Sequence, residues 1–480
     1  MNSRNNRQSG RNPRATSKTN KRRNRIILIL SILLLSYIIS VAVTIRTTLN
    51  VQALGQRTEI QEKNLTDRLN ENYPERTSIS LSPNPFAADF EEISLMAKSA
   101  IMIDTETGDI IYEKNADVQI PPASMTKIVE MYVVFDAIER GQASLDDVVP
   151  LPPESWEINI PWDASRMHLA EGQKVTLREL LLGLAICSGN DASVAVAHYI
   201  SGDMDSFVAK MNSTVESMGL TKTKFVESSG YSEENLTTAR EFAVFARQYI
   251  NRFPQALEEF HSQLQIKYPE PRNVPDSDDN FQSYIQPNTN KLLETIPGCD
   301  GLKTGYIDES GYNISVTAKR NGTRFLSVTM NGPGSNMIEG NRYRVSDNTK
   351  LFDFAFENFT DYRAPEGENA HEYTVGIFGG KEKAVKLVPA LKEVFTVPMT
   401  VNRNDENPEP SSISTRVEVP KYLYGKVECG KQYGTISYML NGSVYKSIPL
   451  VADRSVESGN PLSMLIGKTC AIAVNLFQKD

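Results

Sequence analysis

Residues 26–45 form a run of twenty without a charge, and the 25 residues before them carry nine Lys or Arg and no acid. At about 1.5 Å per residue a helix of that length spans roughly 30 Å of hydrocarbon, so the run is expected to cross a membrane. The basic N-terminal flank predicts a cytoplasmic N-terminus, which places everything after Arg46 outside the cytoplasm. Val51-Gln52-Ala53 offers small residues to a signal peptidase, but the apolar core exceeds the usual length of about 7 to 15 residues. An uncleaved anchor is therefore expected. Orientation of the span accounts for the basic tail, and no nucleic-acid partner is expected. The net charge of −8 thus divides into +9 on the first 25 residues and −17 on the rest.

With 480 residues, 40% of them hydrophobic, the chain is long enough for a two-lobed enzyme and an accessory domain. The expected order is a basic tail at 1–25, the anchor at 26–45, a polar tether at 46–85, a catalytic body at 86–365, a small all-β domain at 366–455 and an amphipathic segment at 456–480. Within the body, apolar runs at 100–104 and 109–112 around Glu106-Thr107-Gly108 predict a hairpin. Residues 124–140 predict a buried helix, apolar on several faces through Ile128, Val129, Val133, Val134, Phe135 and Ile138 and closed by Gly141. Further helices are expected at 176–186, 191–200, 240–250 and 341–359, and strands at 312–318 and 325–330 joined by Asn321-Gly322. Leu462, Leu465, Ile466, Ala473, Leu476 and Phe477 recur at helical spacing near the end, and docking on the protein is preferred to lying on a membrane surface. The four cysteines, Cys187, Cys299, Cys429 and Cys470, are widely spaced and indicate neither a zinc site nor a disulfide framework.

Three short motifs follow one another in the body: Ser124-Met125-Thr126-Lys127, Ser188-Gly189-Asn190 and Lys303-Thr304-Gly305. A serine hydroxyl is a weak nucleophile until a base takes its proton, and the i, i+3 spacing sets Ser124 and Lys127 on one helix face. Lysine can serve as that base when neutral. Burial and a second cation from Lys303 both disfavour its ammonium form. At the start of a helix, Ser124 also offers its backbone N–H to an oxyanion, aided by the helix dipole.

S-x-x-K alone is weak evidence, since composition predicts roughly one or two in a chain of this size. Ser443-Val444-Tyr445-Lys446 is a second match, and Ser82-Pro83-Asn84 and Ser346-Asp347-Asn348 repeat the middle motif. Order decides against the last two, because one precedes the nucleophile and the other follows Lys303-Thr304-Gly305. K-T-G occurs once, against a chance expectation of roughly 0.1. Competing schemes lack parts: His168, His198, His261 and His371 belong to no H-E-x-x-H, and there is no G-x-S-x-G elbow. Asp146-Asp147 and Asp278-Asp279 read as solvated surface, so no metal or other cofactor is expected.

The ordered set is that of penicillin-binding proteins and class A β-lactamases. Pro122-Ala123 ahead of Ser124, Cys187 and Asp191-Ala192 around the second motif, Asn288-Thr289-Asn290, and Asp300-Gly301-Leu302 before Lys303 extend it. On these blocks the chain resembles the low-molecular-mass penicillin-binding proteins, the serine-type D-alanyl-D-alanine carboxypeptidases. The resemblance implies an α/β fold: a penicillin-binding-protein/β-lactamase-like catalytic domain, with an antiparallel sheet flanked by helices and an all-helical lobe, followed by a small all-β domain. It implies that Ser124 attacks the bond between two D-alanines of a peptidoglycan stem peptide, with Lys127 as base, Ser188 as proton relay and Asn190 holding substrate and lysine. Lys303 and Thr304 of the Lys303-Thr304-Gly305 motif would meet the terminal carboxylate, with Arg344 nearby, and the N–H groups of Ser124 and Tyr306 would form the oxyanion hole. β-Lactam antibiotics would acylate Ser124. Tyr306 stands where the family often has a histidine.

The rivals are weaker. A class A β-lactamase needs an E-x-x-L-N loop, whereas Glu233-Glu234-Asn235-Leu236-Thr237 lacks the final Asn. A D,D-endopeptidase acting on cross-links would use the same residues in a wider cleft. A non-catalytic membrane-tethered scaffold would have no need of Ser124 and both lysines.

Overall fold

The computed structural model describes residues 13–87, 93–275, 281–364, 371–400, 409–410 and 413–477. The chain forms two compact units: Ile79–Arg363 with Val394–Ser411, and Met1–Ser78 with Ala364–Glu393 and Ser412–Asp480.

The first unit is built on a six-stranded sheet in the order Ser82–Pro83, Asp109–Lys114, Ser99–Asp104, Thr323–Gly332, Gly311–Arg320, Cys299–Ile307. Its central strands are buried on both faces, and the period of two deals their residues to two cores. Ala100, Met102, Ile314 and Val316 join Leu351, Phe352 and Ala355 of the helix Met337–Asn358. Ile101, Ile103, Leu326 and Val328 join Phe242 and Ala246 of the helix Ala239–Arg252 on the other side. The expected hairpin is present as Ser99–Asp104 and Asp109–Lys114, paired antiparallel.

Against this second core stands the helical lobe. The helix that follows Ser124, Thr126–Glu139, runs through its middle with eleven of fourteen residues buried, as its all-round apolar sequence requires. Helices Asn190–Ser201 and Met204–Ser217 pack beside it. The latter was not singled out from sequence, because it buries only Phe207, Met211 and Val215, a stripe too thin to stand out. The helix expected at 176–186 is α-helical only over Leu177–Leu182 and then widens into a π turn, Gly183–Cys187.

Val394–Thr400 pairs antiparallel with Phe359–Arg363 and so is grouped with the first unit. The segment 46–85 is more than a tether: Glu59–Asn72 is a helix with a Thr58/Gln61 capping box, and its Leu65 and Leu69 are buried with Val388, Ala390 and Val451 of the second unit. Two apolar residues one turn apart suffice to dock it.

The second unit holds its own six-stranded sheet, in the order Ile413–Glu418, Gln432–Leu440, Ser443–Ala452, Ala384–Pro389, Tyr373–Phe378, Leu423–Tyr424. Asn441 and Gly442, both at positive φ, turn its longest hairpin. The N-terminal helix Pro13–Leu49 includes one stretch, Asn20–Leu49, long and apolar enough to cross a membrane. The C-terminal helix Pro461–Leu476 docks along it: Tyr37 Oη and Thr469 Oγ1 are 2.6 Å apart, and Cys470 and Val474 pack with Val41 and Ile45.

Candidate active site

Ser124 lies on a one-turn 3-10 segment, Ala123–Met125, that leads into the helix Thr126–Glu139. One turn on, Lys127 is fully buried. Its Nζ donates to Ser124 Oγ at 3.2 Å, to Asn190 Oδ1 at 2.7 Å and to the Ser229 carbonyl at 2.6 Å. Burial dominates its titration and pushes Lys127 down to about 8, against the attraction of Glu130, Glu227 and Asp191. Two strong acceptors therefore aim the amine at the serine while desolvation loosens its proton.

The turn carrying Ser124 is clamped between two glycine backbones. A Cβ at Gly305 would stand 2.4 Å from the Pro122 carbonyl oxygen, and one at Gly230 would stand 1.8 Å from that of Ala123. Gly230 also takes a φ of +83°. Only glycine permits such approaches. The Gly230 loop is held by Glu227, whose carboxylate accepts from the N–H groups of Ser229 at 2.7 Å and Gly230 at 2.8 Å and from Asn235 Nδ2 at 2.8 Å.

Ser188 adopts a left-handed φ of 63° after the π turn, and Asn190 opens the next helix. The bend is locked by Asp191, fully buried, which accepts from the backbone N–H groups of Met167, His168, Leu169 and Ala192. Asn190 N–H donates to the Ser165 carbonyl at 2.8 Å. The Ser188 hydroxyl is buried without a hydrogen-bond partner.

Lys303, Thr304 and Gly305 lie on the edge strand Cys299–Ile307. Lys303 Nζ donates to the Thr304 carbonyl at 3.1 Å, and Thr304 Oγ1 to Thr289 Oγ1 at 2.8 Å. Burial drives Lys303 well below the ordinary lysine value, and the cations of Lys127 and Arg344 push the same way. Arg344 reaches the strand from the helix Met337–Asn358: its Nη2 donates to the Gly305 carbonyl at 2.5 Å, and its guanidinium lies 5.0 Å from the centre of the Tyr312 ring. Arg342 is exposed and pairs with Glu339 instead. Tyr306 sits at the rim, its hydroxyl on Asp308 at 2.6 Å and its ring 4.4 Å from that of Tyr312.

The structure thus gathers Ser124, Lys127 and Asn190 through direct bonds, and Gly305 against Ser124. Sequence reasoning missed the Ser229 carbonyl, Gly230, Glu227 and Glu130. Glu130 carries the one available signal, an acid among Ile128, Val129 and Met131 on a helix buried all round. The decoys lie elsewhere: Ser443 and Lys446 sit on a strand of the second unit, and Asp347 accepts from the N–H groups of Met96 and Ala97. His261 is buried against Tyr249 and pushed down to about 4, and Asp147 binds Tyr199. Among the described residues no three His, Cys, Asp or Glu are grouped to hold a metal. Asp278-Asp279 lies outside the described residues.

Residues 86–334 match the family described as D-alanyl-D-alanine carboxypeptidase, and residues 364–458 match the penicillin-binding protein 5 C-terminal domain. The D-alanyl-D-alanine carboxypeptidase DacF of Bacillus subtilis is 28% identical over 397 residues, 81% of this chain and 94% of the relative. DacC of Escherichia coli is 29% identical over 384 residues, 79% of this chain and 89% of the relative. Penicillin-binding protein 5 from Haemophilus influenzae superimposes with a TM-score of 0.63 at 27% identity, covering 77% of this chain and all of that one.

Proposed function

This chain belongs to the D-alanyl-D-alanine carboxypeptidase family, and from that premise we propose how its own residues perform the reaction. It is a serine-type carboxypeptidase of the low-molecular-mass penicillin-binding class, built as a helix-flanked sheet with a helical lobe and an all-β domain. The observation that carries the mechanism is the buried Lys127 amine held 3.2 Å from Ser124 Oγ.

Ser124 Oγ attacks the carbonyl carbon of the D-alanyl-D-alanine bond at the end of a peptidoglycan stem peptide, and its proton passes to neutral Lys127. The N–H groups of Ser124 and Tyr306 receive the oxyanion. Ser188, whose buried hydroxyl has no other partner, passes a proton to the leaving D-alanine amine, while Asn190 steadies Lys127 and the substrate amide. Lys303 and Thr304 take the terminal carboxylate, and Arg344 braces their strand through the Gly305 carbonyl. Water then adds to the acyl carbon, the ester bond to Ser124 breaks, and Oγ recovers its proton. A β-lactam follows the first half of this course and remains on Ser124.

The catalytic unit, taken as residues 86–365 with the returning strand, works outside the cytoplasm, held by a single uncleaved N-terminal span. The test pairs fluorescent-penicillin labelling with D-alanine release from a pentapeptide, each beside Ser124→Ala. Wild type labels and releases D-alanine, and the variant does neither. Absence of both from wild type refutes the mechanism, and preferential cleavage of cross-linked dimers would make the protein an endopeptidase.

A further inference from the structure

The nucleophile helix buries a second ionisable group that the mechanism above does not use. Glu130 follows Lys127 by three residues, so the two side chains share one face, and neither has any solvent exposure. Glu130 Oε2 accepts from Ser193 Oγ at 2.8 Å, and Ser193 Oγ lies 2.7 Å from Ser228 Oγ. Its other oxygen, Oε1, is buried without a hydrogen-bond partner.

Those partners stand where they matter. Ser193 lies one turn after Asn190 on the same helix, and Ser228 immediately precedes Ser229. Asn190 and Ser229 supply the two short acceptors of the Lys127 amine. A ring therefore closes across two helices: Lys127 to Asn190, one turn to Ser193, Ser193 to Glu130, and one turn back to Lys127. Ser228 ties the loop into the same ring.

We propose that Glu130 is a positioning residue for acylation, which holds the two acceptors of Lys127 in register and, through its charge, sets how tightly that lysine keeps its proton. This rests on the reading of Lys127 as the base for Ser124. The titratable groups around the pair are Glu227 on the Ser229 loop, Asp191 at the head of the Asn190 helix, Cys187 in the π turn and Lys303 on the edge strand. Burial pushes Glu130 up to about 8 and Lys127 down to about 8, so each titrates where it feels the other. A carboxylate at 130 favours the ammonium form of Lys127, and a neutral side chain there favours the amine.

The experiment is the rate constant for acylation of the full-length protein by a fluorescent penicillin, followed from about pH 5 to about pH 10. Glu130→Gln preserves shape and can still accept from Ser193, but cannot become negative. Its acid limb is expected to move down by about one pH unit, with labelling stoichiometry unchanged. Ser193→Ala keeps the carboxyl but removes its donor, which makes the carboxylate harder to form, so the limb moves the same way by less. A Glu130→Gln profile that superimposes on wild type, with only thermal stability altered, overturns the proposal. If Glu130→Gln fails to label, an unshifted limb in Ser193→Ala overturns it equally. Ser124→Ala and Lys127→Ala separate the two levels: if either acylates at the wild-type rate the mechanism itself fails, whereas their silence beside an unshifted Glu130→Gln profile removes only the role of Glu130.

Discussion

Gly305 presses against Ser124: a Cβ at position 305 would stand 3.1 Å from the Ser124 nitrogen and 2.4 Å from the Pro122 carbonyl oxygen. That nitrogen is one of the two proposed oxyanion donors, so the missing side chain sets the width of the hole. Gly305→Ala must push the edge strand off the nucleophile turn. Acylation by penicillin is expected to slow roughly 10²-fold or more while the protein still folds. Stopped-flow acylation beside a thermal melt checks this, and an unchanged rate would show that the strand yields freely.

In the proposed mechanism Lys127 can accept the Ser124 proton only as a neutral amine. With its value pushed down to about 8, acylation is expected to rise with pH and level off above that point. Lys127→Ala should lower the rate by about 10² to 10⁴ at every pH and erase the acid limb. A wild-type profile that falls between pH 7 and pH 9 would contradict the assignment.

Asp191 holds the bend that presents Ser188 and Asn190. Its buried carboxylate accepts from four backbone N–H groups, and an amide there would turn its own N–H toward one or more of them. Asp191→Asn is expected to cost about 2 kcal/mol or more of stability and Asp191→Ala still more, since buried donors lose their acceptor. Urea titration monitored by circular dichroism measures both.

Asp361, on the strand Phe359–Arg363, forms a carboxyl pair with Asp104: Asp361 Oδ1 and Asp104 Oδ2 are both buried and unpartnered by any other donor, while Asp361 Oδ2 accepts from Arg363 Nη2 at 3.0 Å. Burial first, and then the Asp104 charge, push Asp361 up to about 9 from an ordinary 3.8. The folded state therefore keeps a proton that the unfolded chain has lost. Its contribution to stability is full below 3.8 and is lost as pH rises to about 9. The melting temperature of wild type should fall across that window, and Asp361→Asn should flatten the slope. Parallel slopes in differential scanning calorimetry would show that the pair shares no proton.

Much of the fold was legible where neighbours in the chain decide it. The nucleophile helix, the hairpin around Glu106-Thr107-Gly108 and the strands on either side of Asn321-Gly322 follow from period and turn chemistry. The pairing of Val394–Thr400 with Phe359–Arg363 was not legible, since a strand pattern states that a segment will pair but not with which strand. Helix Glu59–Asn72 escaped because only Leu65 and Leu69 mark its buried side. Arg344, and not Arg342, bonds the Gly305 carbonyl, and that bond depends on backbone placement that no local pattern states.

The sequence by itself determined the reaction class and pointed to Ser124 as the proposed nucleophile, because i, i+3 spacing and motif order are relations along the chain. Only the tertiary structure decided the state of the proposed base. Lys127 is loosened by burial and aimed by Asn190, 63 positions away, and by the Ser229 carbonyl, 102 positions away. Desolvation and hydrogen-bond geometry depend on what surrounds a group in space, and no local pattern encodes that surrounding.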